Sequence, residues 1–451
     1  MSEEEVLDYV KNHKDQRVKV ALVDIDGVLR GKYISTEKFF SILKSPLGFC
    51  NVVFGWDMSD VAYDNSKFTG WHSGYPDAPA KLVLSTFRKI PWENDIPFFL
   101  CELIEEKEKS NAICPRSLLQ KIIFQARNQG YSPFFSQEFE WFNFEETPQS
   151  IHDKNFHQLK PLSPGMFGYS LLRSTLRNDF FSDLFTQLKQ FNVPIEGLHT
   201  ETGPGVYEAA IAYSDILEAA DRAVLFKSSV KEIAYKKGIM ATFMAKWDEN
   251  LPGCSGHVHQ SLWDNALENN LFYDENKSHK MSDLMENYMA GQLFCLPHIL
   301  PMIAPTVNSY KRLVEGAWAP TTLTWAIDNR TVALRALPAS KKSTRIETRV
   351  VGSDTNPYLA MSACLASGLY GIKYKLKLQS ATIGNGYADI SNGILPSNLR
   401  DATAAMKNSV VSNELFGETF VEHFIASREW EWRQFSGIVT DWEKKRYFEI
   451  I

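Results

Sequence analysis

The sequence predicts an α+β protein of two unequal domains, with an antiparallel sheet in the larger one. Three observations lead there. The chain has 451 residues, more than one hydrophobic core usually covers. Strand-like segments bearing polar residues interleave with amphipathic helices along it. The first ~105 residues read as a small mixed unit. The charged run 105–111 (EEKEKSN) then offers a boundary, giving domains 1–108 and 109–451. The same run also suits a solvated helix face.

In chain order, 18–23 is a short, mostly apolar strand, and 81–84 and 97–103 read as two more. Between them 54–79 is rich in Gly, Asp and Ser, the composition of an exposed functional loop. Segment 116–129 has helical periodicity and stops at Gly130, 131–144 alternates like a strand, and 175–191 is an amphipathic helix. Asp215, with Glu218 three residues on, reads as the N-cap of a long helix ending at Gly238. A strand at 239–245 follows, then a Pro/Gly loop at 251–256 leading into a strand at 257–262. Segments 281–295 and 353–375 read as helices, and the tail from Leu395 as charged helices carrying Trp430, Trp432 and Trp442.

Composition narrows the class. Hydrophobic residues are 44% and charged residues 23%, ordinary for a globular chain and unlike a disordered, collagenous or disulfide-scaffold sequence. A net charge of −6 counts against a nucleic-acid binder. Six scattered cysteines without a CxxC pair suit a reduced compartment. The acidic N-terminus is no signal peptide, and the apolar stretch 359–372 is too short and too interrupted for a bilayer. The expectation is a cytoplasmic protein with no membrane or nucleic-acid partner.

Four segments carry chemistry. In 134–142 (FFSQEFEWF) Glu138 and Glu140 share one strand face, about 7 Å apart at Cα. Adjacent carboxylates raise each other's pKa unless a cation sits between them. On this pair alone, two solvated edge-strand glutamates is the stronger reading. In 199–208 (HTETGPGVYE) Glu201 and Glu208 flank a Gly-Pro-Gly turn and could converge, or lie on a plain surface turn. In 253–262 (GCSGHVHQSL) His257, His259 and Ser261 share a face, as metal or anion contacts or as structural histidines. Oxygen-rich ligands around a histidine favour Mg²⁺ or Mn²⁺ over zinc. In 345–349 (RIETR) Arg345, Glu347 and Arg349 share a face, which keeps the glutamate ionised. A salt-bridge ladder on an exposed sheet is the alternative.

Charge is unevenly spread. From 311 to 349 there are eight basic residues, five of them arginine, against three acidic ones. Metal-ligand carboxylates beside an arginine set is the recurrent logic of phosphoryl transfer. Neither GxxxxGK[ST] nor GxGxxG occurs. The segment Val23-Asp24-Ile25-Asp26-Gly27-Val28 resembles the nucleophile motif of haloacid-dehalogenase-like phosphatases, but the later acidic pair and lysine of that family cannot be placed.

Eight blocks, in order, resemble the glutamine synthetase superfamily: D-x-D-G-x-x-R-G-K at 24–32, Pro76-Asp77-Ala78, ExE at 138–140, E-x6-E at 201–208, GHxHxSL at 256–262, NSYKRL at 308–313, NR-x4-R at 329–335 and RIExR at 345–349. The resemblance implies a small N-terminal β-grasp domain and a large catalytic α+β domain. It implies homo-oligomers of stacked rings, dodecamer or decamer, with sites completed by the neighbouring subunit. The implied chemistry is ATP-dependent: the γ-carboxylate of glutamate is phosphorylated, and an amine then displaces phosphate. Two or three Mg²⁺ or Mn²⁺ ions per site are implied.

Matched block by block, Glu140, Glu201 and Glu208 would hold one metal, and Glu138, His257 and Glu347 the second. Arg312, Arg349 and Gly253 would bind glutamate, and Glu196, His259, Ser261, Arg335 and Arg345 the nucleotide. Arg330 would stabilise the transferred phosphoryl group, and Asp57 of the partner subunit would deprotonate the amine.

One departure stands out. Ammonia-using members carry a glutamate two residues before the proline that follows NSYKRL, and here Trp318 stands there, with Glu315 three residues earlier. An indole carries no charge to attract ammonium. With LP-x-x-L at 395–399 and VTDWE at 439–443, the chain resembles the γ-glutamylamine and γ-glutamylpolyamine synthetase branch. An organic amine or polyamine is therefore the expected acceptor. An ammonium-using glutamine synthetase and a non-catalytic structural relative are the competing readings.

Overall fold

The computed structural model describes residues 1–105 and 111–451. Most of the boundary run 105–111 lies outside the described residues, and with it the division at 108. The first part comprises α1 (Glu3–Asn12), β1 (Arg17–Val23), β2 (Leu29–Ser35), α2 (Thr36–Ile42), β3 (Leu47–Cys50), β4 (Asp77–Leu82), β5 (Arg88–Ile90) and β6 (Ile96–Leu103). Their sheet runs β2-β1-β6-β4-β3, with β5 beside β6. β1 and β6 are parallel and the other pairs antiparallel, a mixed sheet with helices laid against it.

Strand alternation gives this sheet two apolar faces. Val18, Val20 and Leu22 of β1, with Phe99, Cys101 and Leu103 of β6, pack under α1 and α2. Ala21, Val23, Phe98 and Leu100 point the other way and join the core of the rest of the chain.

The remainder is α3 (Pro115–Asn128), β7 (Tyr131–Phe144), α4 (Pro148–Asp153), α5 (Leu171–Leu176), α6 (Asn178–Gln190), β8 (Ile195–Thr200), β9 (Val206–Ile211), β10 (Ser214–Asp215), α7 (Ile216–Lys236), β11 (Met240–Thr242) and β12 (Val258–Asp264), followed by α8 (Asp283–Ile299), α9 (Ser309–Arg312), β13 (Trp325–Ile327), β14 (Leu334–Leu337), β15 (Arg345–Thr348), α10 (Pro357–Tyr374), α11 (Leu399–Lys407), α12 (Val410–Phe416), α13 (Glu418–Ser436) and α14 (Asp441–Tyr447). The sheet order is β13-β14-β15-β12-β7-β9-β8, with β10 and β11 also on β7. It is antiparallel except for β13 with β14, so the α+β expectation holds.

Helices α7, α8 and α10 cover its core face. α8 and α10 approach through Gly291 and Gly371, where a Cβ on Gly371 would meet Gly291 Cα at 2.6 Å.

Several element readings are corrected. The expected helix 175–191 is two helices broken at Arg177, whose φ −117 and ψ 33 leave the helical region. Asp215 does cap α7 through Leu217 N, but Glu218 makes no capping box. It bonds Arg88 and Arg222 instead. The expected strand 239–245 shortens to β11, and His257 precedes β12. The loop 54–79 is less open than its composition suggests. Asp57 accepts from Trp430 Nε1 at 2.8 Å and Asn65 donates to Ala426 O at 2.9 Å, tying it to α13. Deeper, Arg428 of α13 bonds Asp26 and donates to Pro305 O at 2.7 Å.

Candidate active site

β7 sets the site. Phe135, Gln137, Phe139 and Trp141 point into the core, so Ser136, Glu138 and Glu140 share the opposite face. Strand register carries that face across the sheet. Glu140 stands opposite Glu208, and Glu208 opposite His199. On the other side His259 stands opposite Glu347, and Glu347 opposite Arg335. The ladder runs on before β12, Glu138 N donating to His257 O at 3.1 Å, which brings His257 beside Glu138.

Around His257 the charges are paired. Its Nδ1 lies 2.9 Å from Glu138 Oε1 and 3.2 Å from Glu347 Oε1, and His259 Nε2 lies 3.5 Å from Glu138 Oε2. Arg335 donates to Glu347 at 2.8 Å, Arg349 bonds the same carboxylate, and Arg345 Nε reaches His259 Nδ1 at 3.3 Å. Burial opposes ionisation of Glu347, but His257, Arg349 and His259 outweigh it and hold the carboxyl at about 2. Burial opposes ionisation of Glu138 too, and His259 and His257 hold it well below the usual range. Burial, then the charge of Arg349, lowers His257 to about 4, leaving a neutral imidazole at neutral pH.

The second group is under-compensated. Burial, then the charge of Glu208, pushes Glu140 up to about 8, although Ser255 N donates to it at 2.6 Å and Arg312 is near. Burial also raises Glu208. His199 Nε2 lies 3.2 Å from Glu208 Oε1, which overcomes the burial cost and raises the imidazole to about 8. Tyr169 stacks on that imidazole with centroids 4.3 Å apart.

Ligand atoms of Glu138, His259 and Glu347 lie within 4.8 Å of one another, as do those of His199, Glu201 and Glu208. Both sets fit hard divalent cations. Carboxylate oxygens dominate in both, and next to them Glu140 is short of counter-charge and His257 Nε2 is buried without a partner among the described residues. These clusters differ from the expected ligand sets: His259 takes the place expected of His257, and His199 that of Glu140, although His257 lies beside Glu138 and Glu347 and Glu140 stands opposite Glu208. His199 alternates with Glu201 and was legible in that pattern.

The arginines surround these groups. Arg312 is buried and donates to Val350 O at 2.9 Å and to Arg349 O and Ser255 Oγ at 3.0 Å. Gly253 lies so close that a Cβ there would meet Arg312 Cγ at 2.8 Å. Arg330 is exposed, and its carbonyl accepts from Arg349 Nε at 3.1 Å. Glu196, His259, Ser261 and Arg345 line one cavity of about 360 Å³, with Glu138 in its wall, while Arg335 lies outside that lining.

Trp318 is 59% exposed, with a left-handed backbone (φ 57) unusual for a bulky side chain. The loop holding it meets Tyr387, which the sequence reading missed. The Tyr387 hydroxyl is buried against the backbone of Ala319 and Trp318 and feels the charges of Arg349 and Arg312. Asp57 is not brought to these groups within one chain. Its carboxylate accepts from Ser59 N, Val61 N and Trp430.

Paired carboxylate–histidine sets, buried arginines and an adjoining cavity make a site where anionic groups would gather against cations. The family model for the glutamine synthetase catalytic domain matches residues 112–447, and the chain belongs to that family, a glutamine synthetase-type ATP-dependent ligase using divalent metals. It is 53% identical to type-1 glutamine synthetase 2 of Dictyostelium discoideum, over 100% of this chain and 87% of that one. It is 36% identical to the glutamate–isopropylamine ligase of a Pseudomonas species (99% and 98%) and 32% identical to the γ-glutamylethanolamide synthetase GlnA4 of Streptomyces coelicolor (96% and 92%). The fold matches a solved GmaS/ADP complex with a TM-score of 0.85 at 24% identity, covering 98% of this chain and 99% of that one. Among the described residues no helix is long and apolar enough to cross a membrane.

Proposed function

We propose that this ligase joins an organic amine, rather than ammonium, to the γ-carboxylate of glutamate, with ATP converted to ADP and phosphate. The observation that carries the reading is Trp318. It occupies the loop beside Tyr387 and the Arg312–Arg349 pair, where ammonia-using members place a carboxylate. An exposed indole offers an apolar wall to an alkyl amine and no anion to an ammonium ion. The names of the Pseudomonas and Streptomyces relatives, an isopropylamine ligase and a γ-glutamylethanolamide synthetase, support it.

In this reading Arg312 and Arg349, with Gly253, hold glutamate, and Glu196, His259, Ser261, Arg335 and Arg345 hold ATP. A γ-carboxylate oxygen attacks the terminal phosphorus, ADP leaves, and Arg330 faces the transferred group. The amine nitrogen then attacks the acyl carbon and phosphate departs. Asp57 of the partner subunit takes the proton, in an assembly of stacked rings whose small domains (1–108) complete neighbouring sites. Glu138, His257 and Glu347, and separately Glu140, Glu201 and Glu208, would hold Mg²⁺ or Mn²⁺, which neutralises phosphate charge when bound.

The name of the Dictyostelium relative favours ammonium instead, with exposed Glu315 in the same loop as the candidate anion. Phosphate release with glutamate, ATP and Mg²⁺ across ammonium, isopropylamine, ethanolamine and a diamine separates the two. An organic amine should give the highest kcat/KM, and ammonium in first place would overturn the proposal.

A further inference from the structure

Across the sheet from the carboxylates lies a larger cavity, of about 800 Å³, lined by none of the groups assigned above. It forms where β1 and β6 meet α7. Its apolar wall includes Ala21, Phe98, Phe191, Leu225 and Phe243. Lys227 and Lys231 enter it from one face of α7, one turn apart. Their Nζ atoms stand 5.7 and 5.8 Å from the Phe243 ring centroid. Lys227 is also 5.7 Å from the ring of Phe139, which places the pair on the core side of β7.

The two ammonium groups are under-compensated: Asp354 attracts Lys227 without pairing with it. Lys227 donates to Thr355 O at 2.9 Å, and among the described residues no carboxylate forms an ion pair with either lysine. Of the acids in the lining, Glu431 is raised by burial and feels the charge of Arg428, and three others bond to other groups. Asp26 pairs with Arg428, Glu232 accepts from Trp92 Nε1 at 2.6 Å, and Asp354 Oδ2 accepts from Thr306 at 2.8 Å and Ser309 at 2.6 Å. Burial lowers both lysines, Lys227 to about 7 with Lys231 adding to it, so an anion between them would relieve both effects.

We infer that this cavity binds a small amphipathic anion, an apolar or aromatic body bearing one carboxylate, sulfonate or phosphate group that bridges Lys227 and Lys231. The volume suits such a molecule, and the rings of Phe98, Phe191 and Phe243 offer its body a seat. The site is wired to the glutamate clamp. Asp354 lies in its wall, beside Gly352, and its charge acts on both Lys227 and Arg312. Occupancy should therefore move KM for glutamate more than kcat. That coupling rests on the role proposed for Arg312, whereas binding itself does not.

The probe is 8-anilinonaphthalene-1-sulfonate, added to the purified full-length protein. Saturable fluorescence enhancement is expected, reversed by phenylacetate or phenyl phosphate and not by ATP. Lys227→Met with Lys231→Met should weaken binding about tenfold or more, and the paired arginine replacements should retain it. Lys231→Gln, a milder change at the more open of the two lysines, should weaken binding in the same direction. No saturable binding, displacement by ATP, or affinity unchanged by both the methionine pair and Lys231→Gln would overturn the inference. Retained amine-ligase activity in the Lys231→Gln variant keeps that outcome separate from any failure of the proposed reaction.

Discussion

Glu140 and Glu208 stand directly opposite each other on β7 and β9, and the charge of Glu208 adds to burial in pushing the Glu140 carboxyl up to about 8. Two carboxylates in register on a half-buried sheet face are destabilising unless something cationic joins them.

A pH dependence follows. The folded-state value of Glu140 lies above its ordinary 4.5, so between the two the folded protein binds more protons than the unfolded one. Stability of the metal-free protein should fall as pH rises from about 5 to about 8. Thermal melts in EDTA should show that slope, Mg²⁺ should flatten it, and Glu140→Gln should remove the difference. Melts with equal slopes in EDTA and Mg²⁺ would count against a cation at this pair.

Trp318→Glu restores a carboxylate to the loop beside Tyr387. The ratio of kcat/KM for ammonium to that for the best organic amine should rise about tenfold or more, the scale of one charge–charge contact. An unchanged ratio would detach Trp318 from acceptor choice.

Tyr387→Phe removes a buried hydroxyl lying among Arg312, Arg349 and the Trp318 loop. A group that orients substrate there should lower kcat/KM by about tenfold to a hundredfold while leaving the melting temperature within a few degrees. Loss of stability with unaltered kinetics would make the hydroxyl merely structural.

Asp57 accepts from Trp430 Nε1, Ser59 N and Val61 N in its own chain. If it serves a neighbour, co-assembly of Asp57→Asn and Arg330→Ala subunits should regain about one quarter of wild-type activity, the share of random interfaces drawing both intact residues. No recovery would place the proton acceptor elsewhere.

Arg428 joins α13 to Asp26 and to Pro305. Arg428→Met strands a buried carboxylate and should cost about 3–5 kcal/mol, read as a lower unfolding midpoint in denaturant. A midpoint within error of wild type would show that Asp26 finds another partner.

The site was largely legible because strands alternate. Glu138 and Glu140 share a face with Glu208, His257, His259 and Glu347 once register is known, and β7 runs over the span 131–144 that its pattern predicts. His199 obeys the same period beside Glu201. Tyr169 and Tyr387 carry no such signal, since only tertiary packing brings them to His199 and to the arginine pair. The break at Arg177 was also invisible, because arginine is a good helix former and neither glycine nor proline marks the spot. Register between distant strands, such as His259 with Glu347, cannot be read from one chain's pattern alone.

The two apolar faces of the first sheet impose an order on biosynthesis. β1 pairs with β6 only after about 80 residues of intervening chain, a slow non-local closure. The sheet's second face then waits for Phe191 and α7, and the Asp26 anchor waits for Arg428 of α13, 402 residues further on. Until those segments follow, the nascent chain displays Ala21, Val23, Phe98 and Leu100 to solvent, a surface that calls for chaperone cover and makes products truncated before α7 prone to aggregate.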